Sequence, residues 1–485
     1  MIDGADQTGT PPWSLTLSGA SRAIAAGHLS CADLARSVLT RIETTEPEIH
    51  AYEYVSSDSL LAEAERADVE LNESGPRGPL HGIPFAIKDI VDVAGLATTA
   101  SSPSRRGLVP AADAEVVRRL RAAGALICGK TVTDEFGLGV ESPPTRSPWD
   151  RDRIPGGSSG GSGAAVAADS CIAAIGADTA SSIRLPAAIC GIVGLKPTYG
   201  RVSKRGAIPV AWSCDHIGPM TKTVADCARV LQVIAGPDPA DPASASREPP
   251  NWLASLERGV SGLRIGVPRT GFFEPCDGEV ESLVREAIAA LVAEGAEAVD
   301  VDIPHIDLVL PVALVITLVE SAAYHRPWLE QRRGEYGEQV RTLLDAGALV
   351  PGPNYIDAQR ARRVIAASVR RTFDDHRLDL LATPAAPVLA PRVGEKTVAI
   401  GAGEPQSAML ALARNLAPFN LTGQPALSLP CGFSRGQPVG LQLVARPFDE
   451  ATIFGAGNAY ESITTWHLSK PVIPSPPTRG TTPPR

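Results

Sequence analysis

Hydrophobic and polar residues alternate along the chain with two periods, one typical of helices and one typical of strands. Residues 13 to 45 show the helical spacing, and Ser30 with Asp33 forms a pattern that often begins a helix. Residues 84 to 93 show the period of two that indicates a strand. The same patterns predict further helices over 58–73, 113–123, 164–170 and 223–235, and further strands over 125–128, 171–177, 262–267, 297–303, 379–383, 425–430 and 439–445.

This alternation of helices and strands predicts an α/β fold built on one central sheet. Sequences of this kind form a parallel or mixed β-sheet that is covered on both faces by helices. We expect a single domain over residues 1–470, in which a core at 75–235 is completed by a C-terminal portion at 260–465. The Pro-, Ala- and Asp-rich residues 237–250 are predicted to be an exposed connection, and the proline-rich residues 471–485 a disordered tail.

Composition and charge narrow the range of partners. The chain has 485 residues, of which 44% are hydrophobic and 20% are charged, as in ordinary soluble globular proteins. Its net charge of −9, with basic residues dispersed, argues against nucleic acid as a partner. No uninterrupted apolar run approaches the roughly 20 residues that span a bilayer, and the first residues lack the basic and apolar regions of a secretion signal. No membrane partner is therefore expected.

Cysteine and histidine usage points away from disulfides and metals. The eight cysteines are scattered without a C-x-x-C pair and mostly have apolar neighbours, which predicts buried free thiols and a reducing, cytoplasmic location. The eight histidines show no metal-ligand spacing, so a catalytic metal is not expected. His81 lies in a turn before the strand at 84–93, and we interpret it as a structural residue.

The densest cluster of candidate chemistry lies between residues 153 and 201. A loop rich in glycine and serine (Pro155 to Gly163) precedes a helix and a strand, and a second polar turn follows at Asp178 to Ser182. Glycines let backbone amides face a ligand, so such turns suit an anion or an oxyanion. A flexible linker is the ordinary interpretation of a Gly/Ser run, but here strand-like segments begin directly beyond it.

Two short motifs in the chain match well-known patterns in the wrong context. Residues 156–160 satisfy the nucleophile-elbow pattern G-x-S-x-G, which requires a strand just before the serine, whereas residues 147–155 carry prolines and charges. Residues 124–131 satisfy the P-loop pattern, but the four residues between its glycines are themselves predicted to be a strand. Neither an α/β-hydrolase elbow nor a nucleotide site is therefore expected.

Lys88 is the second unusual feature, because it lies inside an apolar strand. The chain has only seven lysines and thirty-eight arginines. Arginine cannot act as a base near neutral pH, whereas a buried lysine loses its proton more readily than an exposed one. A surface lysine that extends its amine to solvent is the alternative interpretation.

Lys88, the PGGSSGG loop at 155–161 and the SIRLPAAICGIVGLKPTYGR run at 182–201 together resemble the amidase signature hydrolases. The resemblance extends from about residue 15 to about residue 465, with 70 and then 24 residues between the three groups. It implies the amidase signature fold, a small-molecule amide substrate and no cofactor. It also implies that Lys88 is the base, that Ser158 is a bridging serine after a cis peptide bond, and that Ser182 is the nucleophile.

The same resemblance implies roles for neighbouring residues. The backbone N–H groups of four residues would hold the oxyanion: Thr179, Ala180, Ser181 and Ser182. Three side chains would support the catalytic groups: Ser159, Asp178 and Arg184. Phe136 and Gly137 would lie near the substrate.

The chain departs from the family at the turn before the nucleophile. Members usually carry Gly-Gly there, whereas this chain has Ala180 and Ser181. A Cβ atom penalises positive φ, so the turn either tolerates side chains or has an altered oxyanion hole.

Three functions fit these features. The first is a stand-alone serine hydrolase that cleaves amide C–N bonds, with esters or carbamates as further substrates. The second is the amidase subunit of a tRNA-dependent amidotransferase, although residues 320–375 lack the glycine- and tyrosine-rich run of those subunits. The third is a non-catalytic binding protein, suggested by Ala180 and Ser181. The acyl and amine specificity is not determined by the sequence, and a homodimer is expected by analogy alone.

Overall fold

The computed structural model describes residues 10–473. Residues 474–485, most of the predicted disordered tail, lie outside the described part of the chain. The described strands are β1 (Tyr52–Val55), β2 (Pro84–Lys88), β3 (Leu126–Thr131), β4 (Ala173–Asp178), β5 (Val193–Lys196), β6 (His216–Thr221), β7 (Arg264–Pro268), β8 (Glu297–Val301), β9 (Leu380–Pro384), β10 (Thr397–Val398), β11 (Gln406–Ser407), β12 (Ala426–Ser434) and β13 (Gln437–Ala445).

Helices alternate with these strands along the chain. They are α1 (Leu17–Ala25), α2 (Cys31–Ile49), α3 (Ser57–Ser74), α4 (Glu115–Ala122), α5 (Gly160–Ala167), α6 (Arg184–Cys190), α7 (Val224–Ile234), α8 (Gly278–Ala293), α9 (Val309–Arg332), α10 (Glu338–Leu349), α11 (Gly352–Asp375), α12 (Ala408–Ala413), α13 (Pro418–Thr422) and α14 (Glu450–Ile463).

Eleven of the strands form one central sheet in the order β1-β3-β2-β4-β6-β5-β12-β13-β9-β7-β8. Strand β2 pairs in parallel with β3 and β4, and β7 pairs in parallel with β8 and β9, while the remaining pairs are antiparallel. Every residue of β2, β3 and β4 is buried, because helices cover the sheet. The predicted α/β fold with a mixed sheet covered on both faces is confirmed.

The helix predicted over residues 13 to 45 is divided in two. Helix α1 ends before Gly27, which adopts a φ of +72° that strongly favours glycine, and α2 begins only after Ser30. The side chain of Ser30 accepts a hydrogen bond of 2.9 Å from the amide of Asp33, as its position in the sequence predicts.

Strand β2 is shorter than predicted, and α5 begins earlier. Strand β2 ends at Lys88 because the chain turns at Asp89, whose carboxylate lies 2.8 Å from the Lys130 amine in a buried ion pair. Helix α5 starts at Gly160, inside the segment that was predicted to be a loop. A Cβ atom on Gly161 would lie 2.6 Å from Val132 N, so the glycine lets this helix approach neighbouring backbone.

One stretch of the described chain, residues 306–335, is long and apolar enough to cross a membrane by length and composition. It is not an uninterrupted apolar run, because Pro311 and Glu320 lie within it. In this structure its helix α9 packs against α10 and α11, and 33% of its most apolar window is buried. A core helix of a soluble protein passes the same test of length and composition.

All eight cysteines are free thiols, and all except Cys276 are buried. This confirms the prediction of buried free cysteines.

Candidate active site

The candidate catalytic residues meet at one edge of the sheet. Strands β2 and β4 are parallel neighbours, so the ends that carry Lys88 and Asp178 lie side by side. The Gly/Ser loop passes Ser158 over this edge before α5 begins, and the polar turn after β4 leads through Ser182 into α6. Segments that are separated by up to 94 positions in the sequence, from Lys88 to Ser182, are thereby brought together.

Lys88 and Ser158 are in direct contact. The Lys88 amine donates a hydrogen bond of 2.7 Å to Ser158 Oγ and a longer one of 3.4 Å to the carbonyl of Ala177. Both side chains are 1% exposed. The peptide bond between Gly157 and Ser158 is cis.

Burial changes the protonation of Lys88. Removal from water lowers the pKa of Lys88 from an ordinary value of 10.5 to about 7, although Asp134, Asp178 and Asp215 act in the opposite direction. The uncharged amine is therefore accessible near pH 7. An uncharged amine can accept a proton from a hydroxyl, which is the requirement for a general base.

Ser182 lies next to this pair without a hydrogen bond to it. Its carbonyl accepts a bond of 3.2 Å from the Ser159 amide, and the residue is 6% exposed. Within residues 10–473, Ser182 Oγ makes no hydrogen bond to Ser158 Oγ or to another protein group. The structure thus brings together the first two members of the predicted triad and leaves the third contact open. Catalytic hydrogen bonds often tighten only when substrate is bound.

The turn before Ser182 has ordinary backbone angles. Neither Ala180 nor Ser181 belongs to the residues with positive φ, so this turn does not require glycine. In the described structure, the amides of Ala180, Ser181 and Ser182 donate to no protein acceptor. Three consecutive free N–H groups are suited to stabilising an oxyanion.

A buried ion pair between Asp178 and Arg184 stabilises this turn. Arg184 Nε and Nη2 each donate a bond of 3.0 Å to the Asp178 carboxylate, and both side chains are fully buried. Burial alone would raise the pKa of Asp178, but Arg184 lowers it below its ordinary value, so the carboxylate is charged. Asp178 also accepts from the amide of Ile183 at 3.1 Å, which fixes the start of α6.

Ser159 and Gly137 support the other side of the site. Ser159 Oγ donates to the carbonyl of Ala177 at 3.0 Å, joining the Gly/Ser loop to β4. Gly137 has a φ of +77°, and a Cβ atom there would lie 2.8 Å from Val210 Cγ2 and 3.4 Å from Ser158 Oγ. The positive φ and the short approach to Val210 therefore both favour glycine at this position, next to Ser158.

Phe136 packs against aromatic rings, whereas Gly137 lies next to Ser158. Its buried ring packs 4.3 Å from the ring of His325 and 5.2 Å from that of Tyr336. Contact of Phe136 or Gly137 with a substrate stays a prediction.

Two aspartates, Asp134 and Asp215, brace the site through contacts that the sequence did not predict, although residues 134–140 were expected to line the cleft. Asp134 is buried and accepts from the amide of Ser142 at 3.0 Å, and Ser142 Oγ in turn donates to the Ser158 carbonyl at 3.0 Å. Burial raises the pKa of Asp134 to about 6. Asp215 accepts from Thr179 Oγ1 at 2.6 Å. Nothing in the sequence marked these contacts, because each joins residues that only the fold brings together.

Two histidines that could be mistaken for catalytic bases, His81 and His216, have structural environments. His81 accepts from the Arg77 amide at 3.1 Å and is 3% exposed, consistent with its interpretation as a structural residue. His216 Nδ1 lies 2.7 Å from the carbonyl of Cys214, and burial lowers its pKa well below 6.5, so it is neutral. Within residues 10–473, no cluster of three or more His, Cys, Asp or Glu side chains is arranged to hold a metal ion.

A cavity of about 340 Å³ opens beside Lys88 and Thr179. Tyr199, Trp212 and residues 240–243 form part of its wall. The connection at 237–250, predicted only as an exposed loop, therefore contributes to the site.

Comparisons with a family model and with known proteins agree on one family. The family model described as Amidase matches residues 33–454. The chain is 43% identical over 483 residues to a glutamyl-tRNA(Gln) amidotransferase subunit of Chloroflexus aurantiacus, covering 94% of this chain and 98% of that protein. It is also 43% identical over 460 residues to an amidase of Pseudomonas putida, covering 95% and 98%.

A solved structure of similar fold supports the same assignment. It belongs to a vestigial protein complex that reveals the evolutionary origins of an s-triazine catabolic enzyme. The two chains superpose with a TM-score of 0.88 at 34% identity, covering 93% of this chain and 98% of the other.

Proposed function

The chain belongs to the amidase family and is a hydrolase of amide C–N bonds, and from that premise we propose that it works alone, through an acyl-enzyme on Ser182. The observation that carries this proposal is the buried Lys88 amine, 2.7 Å from Ser158 Oγ with its pKa lowered to about 7. A serine hydroxyl is a weak nucleophile until a neighbouring base takes its proton. Lys88 is the base that this site offers.

In the proposed reaction, the proton of Ser182 passes to Ser158, whose own proton passes to Lys88. The hydroxyl of Ser158 can donate and accept at once, so it can join the other two groups. Ser182 Oγ then attacks the amide carbon and forms a tetrahedral intermediate. This step requires the open contact between Ser158 and Ser182 to close when substrate is bound.

The oxyanion of that intermediate is stabilised by backbone amides. The free N–H groups of Ala180, Ser181 and Ser182, with that of Thr179, lie in the turn that carries the nucleophile. Loss of one such donor typically costs about 3 kcal/mol of transition-state stabilisation.

The same proton transfers, in the reverse direction, release the amine. The Lys88 ammonium returns its proton through Ser158 to the nitrogen of the leaving group, because an amide nitrogen leaves only when it is protonated. The C–N bond breaks and the acyl group remains on Ser182. Water, deprotonated by the same pair, then attacks the ester and releases the carboxylate.

Labelling and kinetics of three variants test this mechanism. We expect Ser182→Ala to abolish turnover and labelling by a fluorophosphonate probe, Lys88→Ala to abolish nearly all turnover, and Ser158→Ala to leave a small residual rate. Ser462→Ala, which changes an exposed serine on α14, is the control and should keep the wild-type rate. Labelling that persists in Ser182→Ala would contradict the proposal, and a wild-type protein that fails to label would favour a binding protein.

The second candidate function is the amidase component of a tRNA-dependent amidotransferase. It is favoured by the 43% identity to the amidotransferase subunit of Chloroflexus aurantiacus over nearly the whole chain. Hydrolysis of simple amides by the purified single chain would support the stand-alone enzyme. Glutamine hydrolysis that appears only after the other components of such an amidotransferase are added would support the second candidate instead.

We also propose a reducing, cytoplasmic location, because all eight cysteines are free. A homodimer is proposed by analogy with other amidases, and the mass of the purified protein in solution tests it.

A further inference from the structure

We propose that the 340 Å³ cavity beside Lys88 is a specificity pocket that takes an uncharged aromatic substituent of the amide substrate, with Trp212 as its principal contact. This inference rests on the proposed function, because it assigns a substrate class to the same site.

The position of the cavity connects it to the reacting groups. Lys88, Ala177 and Thr179 all form part of its wall. The Ala177 carbonyl accepts from the Lys88 amine, and Thr179 begins the turn that leads to Ser182. A substituent inside the cavity would therefore be attached to an amide that lies near Lys88 and the start of the turn that leads to Ser182.

The size and lining of the cavity favour a ring. A volume of about 340 Å³ is at the lower end of the range of about 300 to 1,000 Å³ that is usual for small-molecule sites. It suits one ring with a short substituent better than a long acyl chain. Most of the wall is apolar, and it includes Ile90, Ala207, Ile208, Pro209, Val210 and Ile217.

Two aromatic residues add a specific surface for a ring. Trp212 is 46% exposed although it lines the cavity, so a large part of its apolar surface is free to cover a ligand. The Tyr199 hydroxyl donates to the Trp212 carbonyl at 2.9 Å, which ties the two residues together. Aromatic pairs contribute beyond the apolar area that they bury.

The carboxylates around the cavity are already engaged by protein groups. Asp215 accepts from the amides of Val210 and Ala211, each at 3.0 Å, in addition to the Thr179 hydroxyl. Asp241 accepts from the amide of Lys204 at 2.8 Å. These carboxylates share the cavity wall with Lys204 and Arg205, so a charged substituent of either sign would meet both signs there.

The positive groups are engaged as well. Arg205 pairs with Glu115 at 2.6 Å and with Asp238 at 3.0 Å. The Lys204 amine donates to the Tyr199 hydroxyl at 3.1 Å and lies 4.3 Å from the centre of that ring. Because His216 is neutral and burial favours the neutral form of Lys88, neither adds a fixed charge that would select a charged substituent.

Kinetics on matched amides test the proposal. Benzamide places the ring on the acyl side, acetanilide places it on the amine side, and acetamide lacks it. We expect at least one aryl amide to exceed acetamide in kcat/KM by about tenfold or more, and Trp212→Ala to reduce that ratio by about 5- to 20-fold through KM. Leu349→Ala, which removes another exposed apolar side chain (82% exposed), should leave the ratio at the wild-type value.

A second variant and a charged substrate complete the test. Ala243→Trp adds a ring from the cavity wall and should also lower the aryl-to-acetamide ratio, with folding checked by thermal melting. A ratio that stays unchanged in both variants would overturn the proposal. So would a preference for 4-carboxybenzamide over benzamide that Lys204→Met abolishes, because the pocket would then select an anion. Fluorophosphonate labelling of the wild-type protein separates the two proposals. A wild-type protein that does not label at Ser182 would count against the proposed function and not against the pocket.

Discussion

At the scale of single residues, the site depends on the cost of burying a lysine. Lys88 is 1% exposed, and its amine meets a serine hydroxyl at 2.7 Å where an exposed lysine would meet water. A charged amine is poorly stabilised in such surroundings, so the neutral form is favoured. The same burial that disfavours the ammonium supplies a base near neutral pH.

The dependence of rate on pH tests this role of Lys88. The uncharged form is the active one, and its pKa is lowered to about 7, so protonation should inactivate the enzyme as the pH falls below that value. We expect kcat/KM to fall about tenfold per pH unit well below pH 7 and to level off above it. The measurement is a profile of kcat/KM between pH 5 and pH 9 on one neutral amide.

Two observations would contradict this prediction. One is a rate that does not change between pH 5 and pH 8, since Lys88 would then not be the titrating base. The other is a similar profile in Lys88→Met, since the titration would then belong to another group. The Lys396→Met variant, which changes a surface lysine paired with Glu141, is the matched control.

The sequence allowed some of these residues to be predicted and not others. Lys88 stood out as a lysine in an apolar strand, and the two serine turns stood out by composition. The bracing roles of Asp134 and Asp215 could not be found in this way, because their partners Ser142 and Thr179 are assigned only by the folded chain. The backbone angles of Ala180 and Ser181 were also open, and the structure shows that this turn does not need glycine.

At the scale of elements, the hydrophobic periodicity predicted which segments are helices and which are strands. It predicted the ends of those segments less well. Strand β2 was predicted to reach residue 93 because the apolar alternation continues. It ends at Lys88 because Asp89 turns to pair with Lys130, a contact between residues that are 41 positions apart. Helix α5 was predicted to begin only at Ala164, because the glycines of its first turn have low helix propensity although they allow close packing against backbone.

This close packing makes a prediction for α5. A methyl group at Gly161 would lie 2.6 Å from Ala51 O, Val132 N and Val132 O, and backbone cannot move aside as a side chain can. We expect Gly161→Ala to destabilise the protein by about 2 kcal/mol or more, because the added group overpacks the interior. Gly278→Ala at the start of α8 has nothing within 4 Å of the added atom, so it should be neutral or slightly stabilising.

Urea unfolding of the two alanine variants, followed by circular dichroism, distinguishes them. Equal midpoints for Gly161→Ala and Gly278→Ala would mean that α5 shifts to accommodate the methyl group. In that case the closeness of α5 to Val132 would not explain why the helix begins with glycines.

At the scale of the whole molecule, the sheet and the active-site turn join distant parts of the chain. Strands from both the 75–235 core and the 260–465 portion belong to one sheet, through the pairing of β5 with β12. Arg184, beside the nucleophile, donates to Gln442 on β13 at 2.7 Å and to Asn420 on α13 at 2.6 Å. The alternation of elements predicted the sheet, but it carried no information on which C-terminal side chains complete the site.

The buried ion pair of Asp178 and Arg184 provides the last prediction, since it links these parts. Asp178→Asn keeps the shape of the side chain but leaves the guanidinium charge buried without its partner. Removing one member of such a pair typically costs about 3 to 5 kcal/mol. We expect the variant to unfold in one transition at a lower urea concentration, and to label more slowly at Ser182.

A double-mutant cycle with Arg184→Met gives the coupling energy of the pair. The exposed pair of Arg360 and Asp357 is the control, and breaking it with Asp357→Asn should change the free energy of unfolding very little. If Asp178→Asn instead unfolds in two separate transitions, the core and the C-terminal portion fold independently and the single-domain prediction is wrong.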